Sequence, residues 1–348
     1  MSEQTSFDYW DYFIAEAERA NAPLYTQIVC GIAGDDELKA LAARVATGQP
    51  PANILLASVQ YLLLRGAEHP LRRFYPNLNG GQRIEGEDPF PQFRDFVNTR
   101  LSELLPLIEN RVTNTNEVAR CSALHAGFRV VAREVGEPLH LIEIGPSAGL
   151  NLLWDRYRVR YRGPDGIVDV GPDEAPLTID CELRGDKMPP AGPSPRVASR
   201  VGLERNPVDL SDASQRDWLK ALMWPDQPAR FERLERAVEL FRAHPAEIRA
   251  GDALHLLPEA MAKVSEDQPL CIYHTFVVYQ FSAEMREALD NILTMASLRR
   301  PVWRLSCEGS LTSVGEAPMR LRRYVDGQKQ SRVLALCHPH GAWLDWRA

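Results

Sequence analysis

At 348 residues, with 45% hydrophobic and 25% charged side chains, the chain has the composition of an ordinary globular protein of about two domains. Forty basic against 47 acidic side chains leave a net charge of −7, which excludes attraction of nucleic acid by the global field and favours a small-molecule or protein substrate. The N-terminus shows no basic stretch followed by an apolar one, and no run approaches the roughly 18 apolar residues of a membrane span, so a cytoplasmic protein without a membrane partner is expected.

Residues from about 7 to 136 read as helices without strand signals: Phe7 to Ala20, Leu24 to Gly34, Asp35 to Ala46, Pro51 to Gly66, Phe93 to Ile108 and Asn114 to Val135. The last carries Val118, Cys121, His125, Phe128, Val131 and Val135 at three- and four-residue spacing. It opens on Asn114 and Glu117 in a capping-box-like arrangement and stops at Gly136. Tyr75 to Pro91 has the Gly, Pro and Asn density of a long loop, a candidate lid or substrate loop. Six cysteines without a Cys-x-x-Cys pair fit free thiols better than a disulfide framework or a zinc site.

From 139 onward apolar runs alternate with helical stretches, the βαβ signature of a parallel sheet, with strands expected at 139 to 144, 196 to 203, 246 to 250, 269 to 275 and 301 to 306. Met319 to Tyr324 and Arg332 to Cys337, around Asp326-Gly327, read as a hairpin closing one sheet edge. An insertion between the first two strands, about 156 to 195, contains a second hairpin: Arg156 to Arg162 and Ile167 to Val170 alternate with period two around Gly163-Pro-Asp-Gly166. Arg156, Arg158, Arg160 and Arg162 fall on one of its faces. That face either receives an anionic substrate or pairs with Asp169, Asp173 and Glu174.

The run Leu139-His-Leu-Ile-Glu-Ile-Gly-Pro-Ser-Ala-Gly-Leu-Asn-Leu-Leu153 joins a buried strand, a small-residue turn and a helix start, the shape of a nucleotide-cofactor loop. A dinucleotide fingerprint puts its ribose acid about 20 residues after Gly-x-Gly-x-x-Gly. Here Glu143 precedes the first glycine and no third glycine follows Gly149. The pattern Glu143-x-Gly145-x-Ser147-x-Gly149 resembles motif I of Rossmann-like S-adenosylmethionine methyltransferases, with Ser147 in place of the middle glycine. The plain alternative is an ordinary strand-turn-helix.

If this loop holds S-adenosylmethionine, the next two strand ends must offer acids to ribose and adenine. Glu204 ends the second strand and Asp252 the third; each alone also reads as a solvated acid or a helix cap. His274, near the end of the fourth strand, faces the transferred methyl group on this reading and is the candidate general base, or else a hydrogen-bonded strand-end histidine; Tyr279 is a weaker candidate. His338-Pro-His340 supplies too few ligands for a metal site, and a turn packed on aromatic side chains is expected there.

Taken together, Thr113 to Arg120, Glu143 to Asn151, Asp155-Arg-Tyr, Gly202 to Asp209 and His338 to Trp343 resemble a bacterial family known as domain of unknown function 2332, over nearly the whole chain. The resemblance implies a helical region, 1–136, fused to a Rossmann-like methyltransferase-type sheet, 137–348. It assigns Glu143, Gly145, Ser147, Gly149, Asn151, Glu204 and Asp252 to the cofactor. The expected architecture is therefore α/β, with seven mostly parallel strands, an antiparallel last hairpin, and the helical part covering the carboxyl edge. Asn116, Arg120 and the 75–91 loop would select the substrate. The expected function is an S-adenosylmethionine-dependent methyltransferase; the alternatives are a binding module on the same fold and an enzyme of another reaction. Oligomeric state and methyl acceptor stay open.

Overall fold

A computed structural model describes residues 9–192, 194–309 and 315–348, so Met1 to Asp8, including the expected helix start at Phe7, lie outside the described residues. Backbone proximity divides the chain into two units, Met1–Thr115 with Asp209–Leu234 and Asn116–Val208 with Glu235–Ala348.

The first unit is helical: α1 (Tyr9–Arg19), α2 (Pro23–Ala33), α3 (Asp36–Ala42), α4 (Pro51–Leu64), α5 (Phe90–Thr99) and α6 (Leu101–Asn110). Helix α4 is apolar nearly all round and is its buried axis, with Ala52, Ile54 to Tyr61 and Leu63 out of water. Its one buried amide, Gln60, donates to the carbonyls of Ala221 at 2.8 Å and Met223 at 2.5 Å. The single helix expected over Phe93 to Ile108 is two. Thr99 donates its hydroxyl back to the Asp95 and Phe96 carbonyls, a local bond that competes with continuation and breaks the helix at Arg100. The stretch from Tyr75 is a short 3-10 turn followed by irregular backbone over residues 79–89.

Helix α7 (Cys121–Val135) groups with the sheet, whereas α8 (Ala213–Ala221) groups with the helices. α7 stops as expected: Gly136 adopts φ +77° and its amide closes on Ala132. It begins later than Asn114, because Glu117 accepts the Ala119 amide at 3.1 Å and forms a separate turn ahead of Cys121.

The second unit is built on β1 (Leu139–Ile144), β2 (Arg158–Gly163), β3 (Gly166–Val170), β4 (Thr178–Arg184), β5 (Val197–Glu204), β6 (Glu247–Ala250), β7 (Leu270–Thr275), β8 (Val302–Cys307), β9 (Ala317–Val325), β10 (Gln328–Cys337) and β11 (Trp343–Trp346). Helices α9 (Pro228–Ala243), α10 (Ala253–Ala262) and α11 (Ala283–Ala296) fall between them in sequence. The five strands expected from the apolar runs form a parallel core in the order β6-β5-β1-β7-β8, so connections leave β1 first to one side and then to the other. Leu257, Leu270, Ile272, Leu289, Leu293 and Val302 form the core beneath α10 and α11.

Eleven strands, not seven, make up the sheet among the described residues, in the order β3-β2-β4-β11-β10-β9-β8-β7-β1-β5-β6. The β9–β10 hairpin does not close an edge. β11 pairs antiparallel with β10 and parallel with β4, and so joins the inserted strands to the same sheet. Ile179, Cys181 and Leu183 of β4 point inward at period two and seal the junction. Among the described residues no helix is long and apolar enough to cross a membrane.

Candidate functional site

β1 is the middle strand of the parallel core, and its carboxyl end faces the switch in connection direction between β1 and β7, the place where open α/β sheets form crevices. Two non-glycine residues with left-handed backbone flank that point: Ser147 at φ +56° after β1 and Phe276 at φ +55° directly after β7. Strained backbone of this kind persists only where its surroundings over-determine it, and it concentrates at functional sites.

The turn after β1 is held by its own network. The Ser147 amide donates to Glu204 Oε2 at 2.8 Å, the Asn206 amide to Glu204 Oε1 at 3.0 Å, and the Leu150 amide to Asn116 Oδ1 at 2.9 Å. Gly145 at φ +68° leaves no room for a side chain, since a Cβ would stand 2.3 Å from Val277. At Gly149 (φ +80°) the close neighbours are Ile248 and Phe241, at 2.7 and 2.8 Å from that same position. The helix after Gly149 is only a short, kinked 3-10 segment from Leu150 to Arg156.

Glu143, 1% exposed, accepts the Tyr273 hydroxyl at 2.9 Å. Burial pushes its carboxyl up to about 8, with Glu204 adding to the rise and Tyr273 and Arg120 opposing it. Arg120 stacks on the Phe276 ring at 4.2 Å and donates to the Pro339 carbonyl at 2.8 Å. Asn151 turns into the core, where its side-chain oxygen receives the Cys121 thiol at 3.3 Å. Asp252 caps α10 through the Leu254 amide at 2.9 Å and pairs with Arg205 at 3.0 Å.

His274 is fully buried between two partners. Its Nε2 accepts from Arg304 Nε at 3.0 Å, which places the ring proton on Nδ1, donated to Glu308. Burial lowers the imidazole pKa, with Glu308 opposing and Arg304 reinforcing. Glu308 also accepts the Val277 amide at 3.1 Å and the Tyr279 amide at 3.1 Å. The histidine thus fixes the turn that carries Phe276 and Tyr279.

Tyr273, Phe276, Glu308 and Arg304 carry no motif in the sequence. Their roles come from strand neighbours, and the one signal present is a Tyr-His pair at the end of a buried strand.

The tail of the chain docks onto the start of α7. Gly341 at φ +70° passes so close that a Cβ would lie 2.2 Å from the Ala119 carbonyl, and His340 Nδ1 stands 3.7 Å from buried Glu117. His338 packs edge-on to Trp343, the turn expected there. Among the described residues no group of three or more His, Cys, Asp or Glu side chains is placed to hold a metal ion. On the inserted hairpin Arg158 and Arg160 share Asp169 at 2.7 and 2.9 Å and Arg162 meets Asp180 at 2.7 Å, while Tyr157, Val159 and Tyr161 are buried on the other face. All six cysteines are free, and only Cys30 is exposed.

A comparison with curated proteins finds no match. A family model does match, from residue 12 to residue 346. Its span takes in the helical unit, the β1 turn, the buried Glu143 and the docked tail alike, and the chain belongs to the family described as "Uncharacterized protein conserved in bacteria (DUF2332)".

Proposed function

We propose that the second unit binds S-adenosylmethionine across the carboxyl ends of β1, β5 and β6 and acts as a methyltransferase on a small-molecule or protein substrate. One observation carries the reading: Glu143, Glu204 and Asp252 stand at or just beyond the ends of three neighbouring parallel strands. Glu204 and Asp252 are acceptors of the kind a ribose diol and an adenine amine require, and Glu143 becomes the acceptor of an ammonium on giving up the proton it holds up to about pH 8. The donor set fits the group, because each Glu204 oxygen takes one amide and keeps a second lone pair.

When bound, S-adenosylmethionine supplies an electrophilic methyl group. The chain's own residues do the rest. The 145–149 turn offers backbone along the ligand, Glu204 holds ribose, and Arg120 on Phe276 walls the side toward the acceptor. Asn116 keeps the turn in place through Leu150. His274 acts as a positioning residue through Glu308, since both of its ring nitrogens are engaged inside the protein. Six free thiols support a reducing, cytoplasmic setting.

Calorimetric titration with S-adenosylhomocysteine, S-adenosylmethionine and NAD tests the reading. The two sulfur ligands should bind and NAD far more weakly; no heat and no melting shift with either at millimolar concentration overturns it. A second reading has an observation of its own. Val277 over Gly145, and Ile248 and Phe241 over Gly149, fill the approaches that glycines leave open for a cofactor, which favours a module that keeps the fold without transfer.

A further inference from the structure

One face of the β8–β9 ladder collects cations. Arg304 stands directly opposite Arg322, and Ser306 directly opposite Arg320, so the three guanidinium groups share one face. Arg304 is committed to Asp290 at 2.7 Å and to His274. Asp290 also takes the Tyr324 hydroxyl at 2.8 Å and Lys329 at 2.6 Å, and among the described residues it makes no ion pair with Arg320 or Arg322. Glu308 is taken by His274 and two amides.

Arg322, half-buried, is left with the Ser306 hydroxyl at 3.1 Å. Arg320, also half-buried, makes no side-chain hydrogen bond or ion pair among the described residues. Burial lowers the Arg322 pKa, with Arg304 and Arg320 reinforcing and Tyr324 and Asp290 opposing. Like charges directly opposite on neighbouring strands are destabilising, and two guanidinium forks on one face match a doubly charged oxyanion in charge and supply the donors it needs. The face is reachable: Ser331 and Lys329 of β10, paired with Arg322 and Tyr324, are exposed. Arg320 stands one register step from the end of β8 at Cys307, on the carboxyl-edge side.

We infer that Arg320 and Arg322 form a binding site for a phosphate-type dianion, either free phosphate or the phosphomonoester group of a larger ligand. The site does not depend on the methyltransferase reading: a protein that binds phosphate and ignores S-adenosylhomocysteine keeps it.

Melting and calorimetric titrations of the full chain with inorganic phosphate, phenyl phosphate and acetate, against sodium chloride at matched ionic strength, test the site. Phosphate should raise the melting temperature saturably, and Arg320→Gln and Arg322→Gln should each weaken binding about tenfold or more. Phenyl phosphate binding tighter than phosphate assigns the site to an ester, and the reverse assigns it to the free ion. Phosphate acting no differently from chloride, acetate matching phosphate, or both variants retaining the wild-type shift overturns the inference. Should Arg322→Gln fail to fold, Arg320→Gln decides alone, because that side chain makes no hydrogen bond or ion pair among the described residues.

Discussion

The inserted wing of β2, β3 and β4 and the carboxyl edge of the parallel core treat charge in opposite ways. On the wing, Arg158, Arg160 and Arg162 meet Asp169 and Asp180 in pairs that stay in contact with water. At the core edge Glu143 and His274 are sealed off, their pKa values are driven by burial, and the backbone beside them is left-handed at Ser147 and Phe276. Solvated pairs cost little and contribute little, whereas buried titratable groups and strained turns survive only where the surrounding structure fixes them. The contrast separates surface chemistry from the place where this fold concentrates its tension.

The comparison breaks most readily at Gly145. Gly145→Ala forces a side chain into left-handed backbone and against Val277, and should destabilise the protein by about 2 to 5 kcal/mol in a denaturant melt. A loss near zero would mean that Val277 yields easily and that the edge is not taut.

Glu143 gives a pH signature. Its carboxyl titrates at about 8 when folded against 4.5 as the ordinary value, so the folded state keeps a proton that the unfolded chain releases. Its contribution is full below pH 4.5 and is lost as pH rises through 8. Glu143→Gln should therefore stabilise strongly above pH 8 and hardly at all at pH 4.5. Equal effects at both ends would refute burial as the cause.

Glu204→Ala leaves the Ser147 and Asn206 amides without their acceptor and should cost about 1 to 3 kcal/mol of stability. On the proposed function it also weakens S-adenosylhomocysteine about ten- to hundredfold. Unchanged affinity in the folded variant would reduce Glu204 to a brace for the turn. The smallest effect belongs to the wing. Replacing Arg158 and Arg160 together by Gln should move the melting temperature by no more than about two degrees. A large drop would show that these pairs carry structure, and the contrast with the edge would fail.

The core strands were legible because β1, β7 and β8 carry the runs of strands covered on both faces, and the β1 turn because Gly145, Ser147 and Gly149 are punctuated at its strand end. β4 and β11 were not read as strands. β11 is only Trp-Leu-Asp-Trp, too short for a period, and without it β4, paired on its other side with β2, has no link to the rest of the sheet. The hairpin expected at the sheet edge lies inside the sheet for the same reason. In the site, the acids were visible as residue types at strand ends, but their partners were not. Glu308 reaches His274 only because β7 lies beside β8, and Arg320 and Arg322 read as one solvated face of a strand until β8 sets Arg304 against them.

The position of β11 has a consequence for how the molecule is made. Trp343 pairs with Glu182, about 160 residues earlier, and the strand sits between β10 and β4 rather than at a margin. During synthesis the wing must therefore wait, with β4 presenting open backbone groups, until nearly the whole parallel core has emerged. Non-local pairings of this kind form slowly, so the four residues of β11 are expected to enter the gap between β10 and β4 late in assembly. Until that gap closes, two facing strand edges invite foreign strands, and the tryptophans of β11 are the plug that ends the exposure.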